Sequence, residues 1–406
     1  MSEATYIVGD VFDVMATLPD SSVDLVLTSP PFLALRSYLP ADHPDKGKEI
    51  GSEPTPAEFI DTLLALTAEW ERVLAPHGSI CVELGDTYAG GGNGPDARNA
   101  GADHESNAAE RWTGTRNGWP LDKSLCGIPH LYHLSLAYGR NLLTGAESPA
   151  GMWRVRNVVA WCRPNPPVGA LGDKYRPATS YITIATKARD RWFDLDAVRT
   201  APASTDRRQA AYNANGASGA FHDHSNDEIG RQQGPKPASG GVSNPAGAPP
   251  LDWWEVPTEP YKGSHYATWP RKLLERPIRA MCPSEVCRTC GEPRRRIVGE
   301  AEYVPSASYR GGVMVADAER TGDGVNQWKG EGGAQASVIR QAPTLGWTDC
   351  GHDDFRRGVV LDPFAGSGTT LAVATGLGRD AIGIDIDKRN LDLAYERVGM
   401  FLKETT

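Results

Sequence analysis

Apolar residues fall in short runs separated by polar, glycine- and proline-rich stretches. Tyr6-Ile7-Val8, Val23-Asp24-Leu25-Val26-Leu27, Ser79 to Leu84, Val155 to Trp161, Ser180 to Thr186, Val359-Val360-Leu361 and Asp380 to Ile384 have strand length and an apolar or β-branched character. Residues 56–75 follow another period, with Phe59, Ile60, Leu63, Leu64, Trp70, Val73 and Leu74 at helical intervals. Thr55 is placed to cap that helix, Pro56 suits its first turn, and Glu58 has capping-box spacing. Residues 367–377 and 388–402 read as two further helices. Strands alternating with helices describe an α/β core. The Val23 run leads into Thr28-Ser29-Pro30-Pro31-Phe32, and two prolines cannot continue a central strand, which leaves Ser29 at its carboxyl tip.

The 406 residues suffice for two to three domains or one large core with insertions. Forty-four glycines and 31 prolines predict long irregular segments. Ala, Gly, Pro and Ser fill 28 of the 50 positions from 201 to 250. Residues 303–345 and the polar stretch from Gly90-Gly91-Gly92 to about Asn117 are of the same kind. No long apolar run predicts a membrane span, and Met1 to Asp10 has no signal-peptide pattern, so a cytoplasmic protein is expected. A net charge of −9 argues against a wholly basic nucleic-acid coat but leaves room for a local basic groove. Seven cysteines in such a chain point to thiols or metal ligands rather than disulfides.

Val359 to Thr370 reads as strand, glycine loop and helix start. Gly366 and Gly368 let the backbone turn tightly and approach a ligand. The helix beginning near Thr369 and Thr370 offers unpaired N–H groups. Asp385, at the tip of the next strand, is placed to accept both hydroxyls of a ribose. Leu371 stands where a dinucleotide fingerprint has its third glycine, and no Gly-Lys-Ser/Thr follows, which excludes a phosphate-cradling P-loop. The pattern describes a nucleoside-cofactor site formed by Asp362, Phe364, Ala365, Gly366, Gly368, Thr369, Thr370 and Asp385.

The second motif is the tetrapeptide Ser29-Pro30-Pro31-Phe32. The Ser29 hydroxyl and the Pro30 carbonyl can accept hydrogen bonds from an exocyclic amine, the prolines fix the carbonyl direction, and Phe32 can stack on a planar base. An aromatic amine is a poor nucleophile because its lone pair is delocalised. Two acceptors on its hydrogens favour a pyramidal nitrogen, and positioning a methyl donor in line supplies much of the rest.

Together these motifs resemble the S-adenosylmethionine-dependent DNA amino-methyltransferases, in the permuted β order where the tetrapeptide precedes the cofactor loop. Gly9-Asp10 is similar to the family's acid near the cofactor adenine. Gly127-Ile128-Pro129 and Asn157 to Pro166 resemble its middle segments, and Trp192 to Asp196 the strand closing this half. His265 to Pro270 resembles the cofactor-binding segment, with Thr268 toward the methionine carboxylate. The resemblance implies a Rossmann-like, seven-stranded class I methyltransferase sheet, circularly permuted, with loop-rich insertions. It also implies S-adenosylmethionine as cofactor and a base flipped out of double-stranded DNA. Serine at the head of the tetrapeptide points to cytosine N4, with adenine N6 as the alternative. The setting it implies is bacterial or phage-borne, with a monomer or homodimer and, in a restriction–modification pair, a cognate endonuclease.

On this reading residues 1–199 form the catalytic half, with a loop insertion at about 86–120. Residues 200–262 are the target-recognition segment, carrying Arg207, Arg208, Arg231, Lys236 and Trp253-Trp254. Residues 263–282 return to the core, 283–357 form a zinc-knuckle insertion, and 358–406 are the cofactor-binding half. Arg36 and Tyr38 follow the tetrapeptide and are candidates to touch DNA. Arg271 and Lys272, with Arg276 and Arg279, and then Arg294-Arg295-Arg296, are candidates for phosphate contact. Cys287-x-x-Cys290 and Cys350-Gly351-His352 can supply four corners of a tetrahedral zinc, with Cys282 as the alternative fourth ligand. A metal there would pin both ends of a Gly-rich excursion. Cys81, Cys126 and Cys162 read as buried apolar residues. A non-enzymatic zinc-ribbon DNA-binding protein leaves Asp362, Gly366, Gly368 and Asp385 unexplained. A methyltransferase acting on RNA, protein or a small molecule is the third reading.

Overall fold

The computed structural model describes residues 2–35, 37–89, 118–166, 173–200, 248–259, 269–299, 302–305, 338–341 and 343–405. The expected loops at 90–117, 201–247 and 306–337 lie outside the described residues, as do Arg36 and Thr268. The chain divides into two compact units. One comprises Met1–Val198, Leu251–Arg295 and Trp347–Thr406; the other comprises Arg199–Pro250 and Arg296–Gly346.

Fifteen strands occur among the described residues. The first six are β1 (Ala4–Val8), β2 (Val23–Thr28), β3 (Leu74–Leu84), β4 (Arg154–Cys162), β5 (Thr179–Thr186) and β6 (Trp253–Glu255). Then come β7 (Glu285–Cys287), β8 (Arg296–Val298), β9 (Glu302–Pro305), β10 (Val338–Gln341), β11 (Thr344–Trp347) and β12 (Phe355–Arg357). The last are β13 (Val359–Asp362), β14 (Asp380–Asp385) and β15 (Leu402–Thr405). In the second unit β9 and β10 pair antiparallel.

The main sheet, in the first unit, has nine strands in the order β15-β1-β14-β13-β2-β3-β5-β4-β6. From β15 to β3 all pairings are parallel, and β5 is antiparallel to both β3 and β4. The expected seven-stranded sheet is the stretch from β1 to β4 in this order, and β15 and β6 add a strand at each edge. The expected helix 388–402 is shorter than its apolar pattern. It runs Arg389–Val398 and stops at Gly399, whose φ of 67° ends the helix and releases β15.

Successive strand residues point to opposite faces. Leu25, Leu27, Cys81, Ile182 and Val360 pack on one side with the helices Arg271–Met281, Thr369–Gly376 and Arg389–Val398. Val26, Ile80, Val82, Leu84 and Leu361 pack on the other with Val11–Met15, Pro56–Val73 and Ile128–Tyr138. The Pro56–Val73 helix starts as its pattern predicts, with the Thr55 hydroxyl accepting from the Glu58 N–H at 3.2 Å. Of the cysteines expected to be apolar and buried, Cys81 is buried, while Cys126 and Cys162 are half-buried.

The permutation is visible at the centre of the sheet. β2 lies between β3 and β13, so strands from opposite ends of the chain are neighbours. A buried Asp24 on β2 joins them: it accepts from the Val359 N–H at 2.7 Å, from both terminal guanidinium nitrogens of Arg356, and pairs with His77 Nε2 at 2.9 Å. No helix among the described residues is long and apolar enough to cross a membrane.

Candidate active site and metal centre

The parallel strands β1, β2, β3, β13 and β14 end at one edge of the sheet, where open α/β sheets bind ligands. A cavity of about 790 Å³ opens there. Ser29, Pro30, Pro31 and Phe32 line it from the end of β2, Asp10 from the end of β1, and Tyr38 from the loop beyond the tetrapeptide. Asp362, Phe364, Ala365 and Gly366 enter it from the end of β13, Thr369 and Thr370 from the following helix, and Asp385 from β14. The two sequence motifs therefore share one chamber.

A hydrogen bond links them. The Thr28 hydroxyl, one residue before Ser29, donates to Asp362 Oδ1 at 2.8 Å across 334 residues of chain. Thr370 donates to Asp362 Oδ2, and the Phe364 N–H to Oδ1 at 3.2 Å. Asp362 is thus a brace between the tetrapeptide strand and the glycine loop. Burial pushes its carboxyl up to about 6 against these donors.

Asp385 accepts from the Gly366 N–H at 2.8 Å, the Asp387 N–H at 2.8 Å and the Asn390 side-chain amide at 3.1 Å. A carboxylate has roughly four acceptor positions, so this pattern leaves about one for a ribose rather than the two expected from sequence. Burial raises this carboxyl to about 6 as well. The glycine loop is held from behind by the buried Tyr6, whose hydroxyl donates to the Gly366 carbonyl at 2.8 Å. Gly366 has φ 50° and Gly368 φ 75°. Gly368 is not part of the cavity lining; a Cβ there would lie 3.0 Å from the Ala394 Cβ, so its smallness serves helix packing. Asp10 caps the Val11–Met15 helix, accepting from the Phe12 and Asp13 N–H groups.

Ser29 donates its hydroxyl to Glu83 Oε2 at 2.6 Å. Burial pushes the Glu83 carboxyl up, opposed by the nearby Ser180 and Ser29 hydroxyls and the Arg163 charge. Glu83 escaped the sequence reading; its only local mark is an acid at the exit of an apolar strand. Gly85 escaped it too. A Cβ there would lie 2.6 Å from the Phe32 ring, so glycine makes the place where that ring rests. Asp86 accepts from the Gly127 and Ile128 N–H groups and so seats the Ile128–Tyr138 helix under this wall. On the far wall, Trp161 donates its indole N–H to the Val256 carbonyl at 2.8 Å, and Asn165 pairs with the Thr258 backbone.

Arg271 and Lys272 are exposed in the first turn of their helix, two and three positions after the cavity-lining Trp269, and do not themselves line the chamber. Arg294 is committed internally, to Glu285 at 2.8 Å and to the Thr348 carbonyl.

The metal-ligand residues converge. One donor atom each from Cys287, Cys290, Cys350 and His352 lies within 4.8 Å of every other. Antiparallel pairing of β7 with β12 places Cys287 opposite Phe355 and brings the two ligand pairs together. The Cys290 N–H donates to Cys287 Sγ at 3.4 Å. Burial opposes ionisation of Cys287, but this N–H and its neighbours bring the thiol down to about 6. Cys282 is outside the cluster: it is fully buried, and burial raises its thiol.

A sequence model of the DNA methylase family matches residues 23–286 and 354–396, which takes in the tetrapeptide, the glycine loop and Asp385. Among characterised relatives, the Type II methyltransferase M.SmaI of Serratia marcescens is 23% identical over 392 residues, covering 97% of this chain and 89% of the relative. M.XycI of Xanthomonas campestris pv. cyanopsidis is 26% identical over 329 residues, covering 76% and 87%. M.Cfr9I of Citrobacter freundii is 26% identical over 277 residues, covering 68% and 71%. The chain belongs to the DNA methylase family, the amino-directed N6/N4 DNA methyltransferases.

Proposed function

We propose that this enzyme methylates the N4 amine of a cytosine flipped out of double-stranded DNA, with S-adenosylmethionine as donor. The observation that carries this reading is the shared chamber of Ser29 and the Asp362–Gly366–Asp385 loop. The residues present fit the donor: Asp385 keeps an acceptor position for a ribose hydroxyl, and Asp10 and Phe364 flank the loop. Thr268 is assigned to the methionine carboxylate. The bound donor supplies an electrophilic methyl on a sulfonium centre.

Ser29 and the Pro30 carbonyl accept the two hydrogens of the amine. Because the Ser29 proton is turned toward Glu83, its lone pairs are left for the amine. Phe32 stacks on the base. When nitrogen takes the methyl it sheds a proton, and Ser29 hands that proton on to the buried Glu83. Arg36 and Tyr38 touch the flipped strand, and Arg271 and Lys272 hold phosphates. The Type II names of the relatives support a restriction–modification setting with a cognate endonuclease as partner.

The test is nucleoside mass spectrometry of DNA incubated with the protein and S-adenosylmethionine. N4-methylcytosine is expected, and Ser29→Ala should lower turnover about a hundredfold or more while leaving donor affinity nearly unchanged. N6-methyladenine would overturn the base assignment but keep the chemistry.

The Cys287, Cys290, Cys350 and His352 cluster is assigned to a structural zinc, since methyl transfer from a sulfonium needs no metal. One zinc per chain is expected by elemental analysis. Chelation or Cys290→Ser should lower the melting temperature by several degrees, on the order of 1–3 kcal/mol. An unchanged melting temperature on zinc removal would overturn the assignment.

A further inference from the structure

Arg163, just beyond the end of β4, is a charged wall of the chamber that the reaction as described leaves unused. The residue is half-buried. The guanidinium lies 5.0 Å from the centre of the Trp161 ring, which is itself buried and anchored to Val256. Its Nε is buried and has no hydrogen-bond partner, and no side-chain hydrogen bond of Arg163 is found among the described residues. Among the described residues its one hydrogen bond is from the backbone N–H to the Ala178 carbonyl at 2.8 Å. Buried polar atoms are nearly always paired, so a buried Nε with no hydrogen-bond partner among the described residues, at the wall of a ligand chamber and with the Glu83 charge nearby, is suited to an acceptor on a bound ligand. Glu83, on the Ser29 side, has an Oε1 in the same chamber with no hydrogen bond among the described residues, the Ser180 hydroxyl and the Arg163 charge lying near its carboxyl. The chamber thus presents acceptors at one wall and a rigid donor fork at another.

We propose that Arg163 determines base specificity by donating to the ring N3 and the O2 of the flipped cytosine. The edge of cytosine carries an amine followed by two adjacent acceptors, whereas adenine follows its amine with one acceptor, N1, and then a C–H. A planar fork of donors pairs with two adjacent acceptors and leaves one donor unpaired against adenine. Lysine, a point donor, cannot reproduce that pairing.

This inference rests on the cytosine reading above, and one experiment separates the two. The methylated site, once mapped, is placed in duplexes carrying either cytosine or 3-deazacytosine, in which N3 is replaced by C–H. Wild type, Arg163→Lys and Arg163→Met are compared by single-turnover rate and product mass, with the thermal shift given by S-adenosylmethionine as the control for folding and donor binding. Wild type is expected to lose about tenfold to a hundredfold on 3-deazacytosine. Arg163→Met should show a loss of that size on cytosine and little further loss on the analogue, with an unchanged thermal shift; Arg163→Lys should recover only part of the rate. Fully additive losses, or full activity in Arg163→Met, would overturn the role of Arg163 while leaving cytosine methylation standing. N6-methyladenine as the wild-type product would overturn both readings.

Discussion

Asp362 and Asp385 set the pH behaviour of the site. Both are buried carboxyls raised to about 6, whereas in the unfolded chain such groups titrate near ~4. Between those values the native state holds protons that the unfolded state has released, so these two groups destabilise the fold above pH 6 and the loss is recovered as pH falls through 6. The melting temperature of the protein without donor should therefore rise from pH 7.5 toward pH 5, and rise less in Asp362→Asn. A flat profile in the parent protein would contradict the burial of these charges. At this scale the sequence was informative wherever chemistry is contiguous. Ser29 to Phe32 and Asp362 to Thr370 could be read directly, because each run carries its own turn chemistry. The Asp362 brace, the Glu83 acceptor, the Gly85 recess and the Arg163 fork could not, because each role is defined by a partner far along the chain.

Among the elements, the link between the metal insertion and the core hangs on β12. Arg356 on β12 reaches Asp24 on β2, and the adjoining segment carries Cys350 and His352. Burial alone would raise the Asp24 carboxyl, but His77 and Arg356 overcome it and hold it below the usual carboxylate range. That stabilisation is present above the unfolded value and is lost as pH falls through the lower native one. Replacing Asp24 by Asn leaves Arg356 and His77 without their counter-charge, and should cost about 3 kcal/mol in chemical denaturation at pH 7. A cost below ~1 kcal/mol would show the cluster to be dispensable. Element ends were legible where a cap and its helix pattern coincide, as at Thr55; the stop at Gly399 was not legible, because the apolar pattern continues beyond it. The edge strands β15 and β6 were not, since a short edge strand is specified by the neighbour it pairs with rather than by its own pattern.

For the molecule as a whole, a net charge of −9 makes DNA binding depend on local cations. Arg271→Ala with Lys272→Ala should weaken binding to all duplexes alike and reduce the slope of log affinity against log salt by about 1–2. An unchanged slope would move the phosphate contacts elsewhere. The order of tetrapeptide before glycine loop announced a permuted sheet, and apolar runs of strand length announced its central strands. These features are local: a strand's burial, a helix's period, a proline stop and a glycine turn are properties of a few consecutive residues. Tertiary structure alone decided that the two motifs share a chamber, that Asp362 is a brace, and that four ligands from two distant segments meet within 4.8 Å. Hydrogen bonds and metal coordination act over about 2–4 Å, and only folding brings residues hundreds of positions apart within that reach.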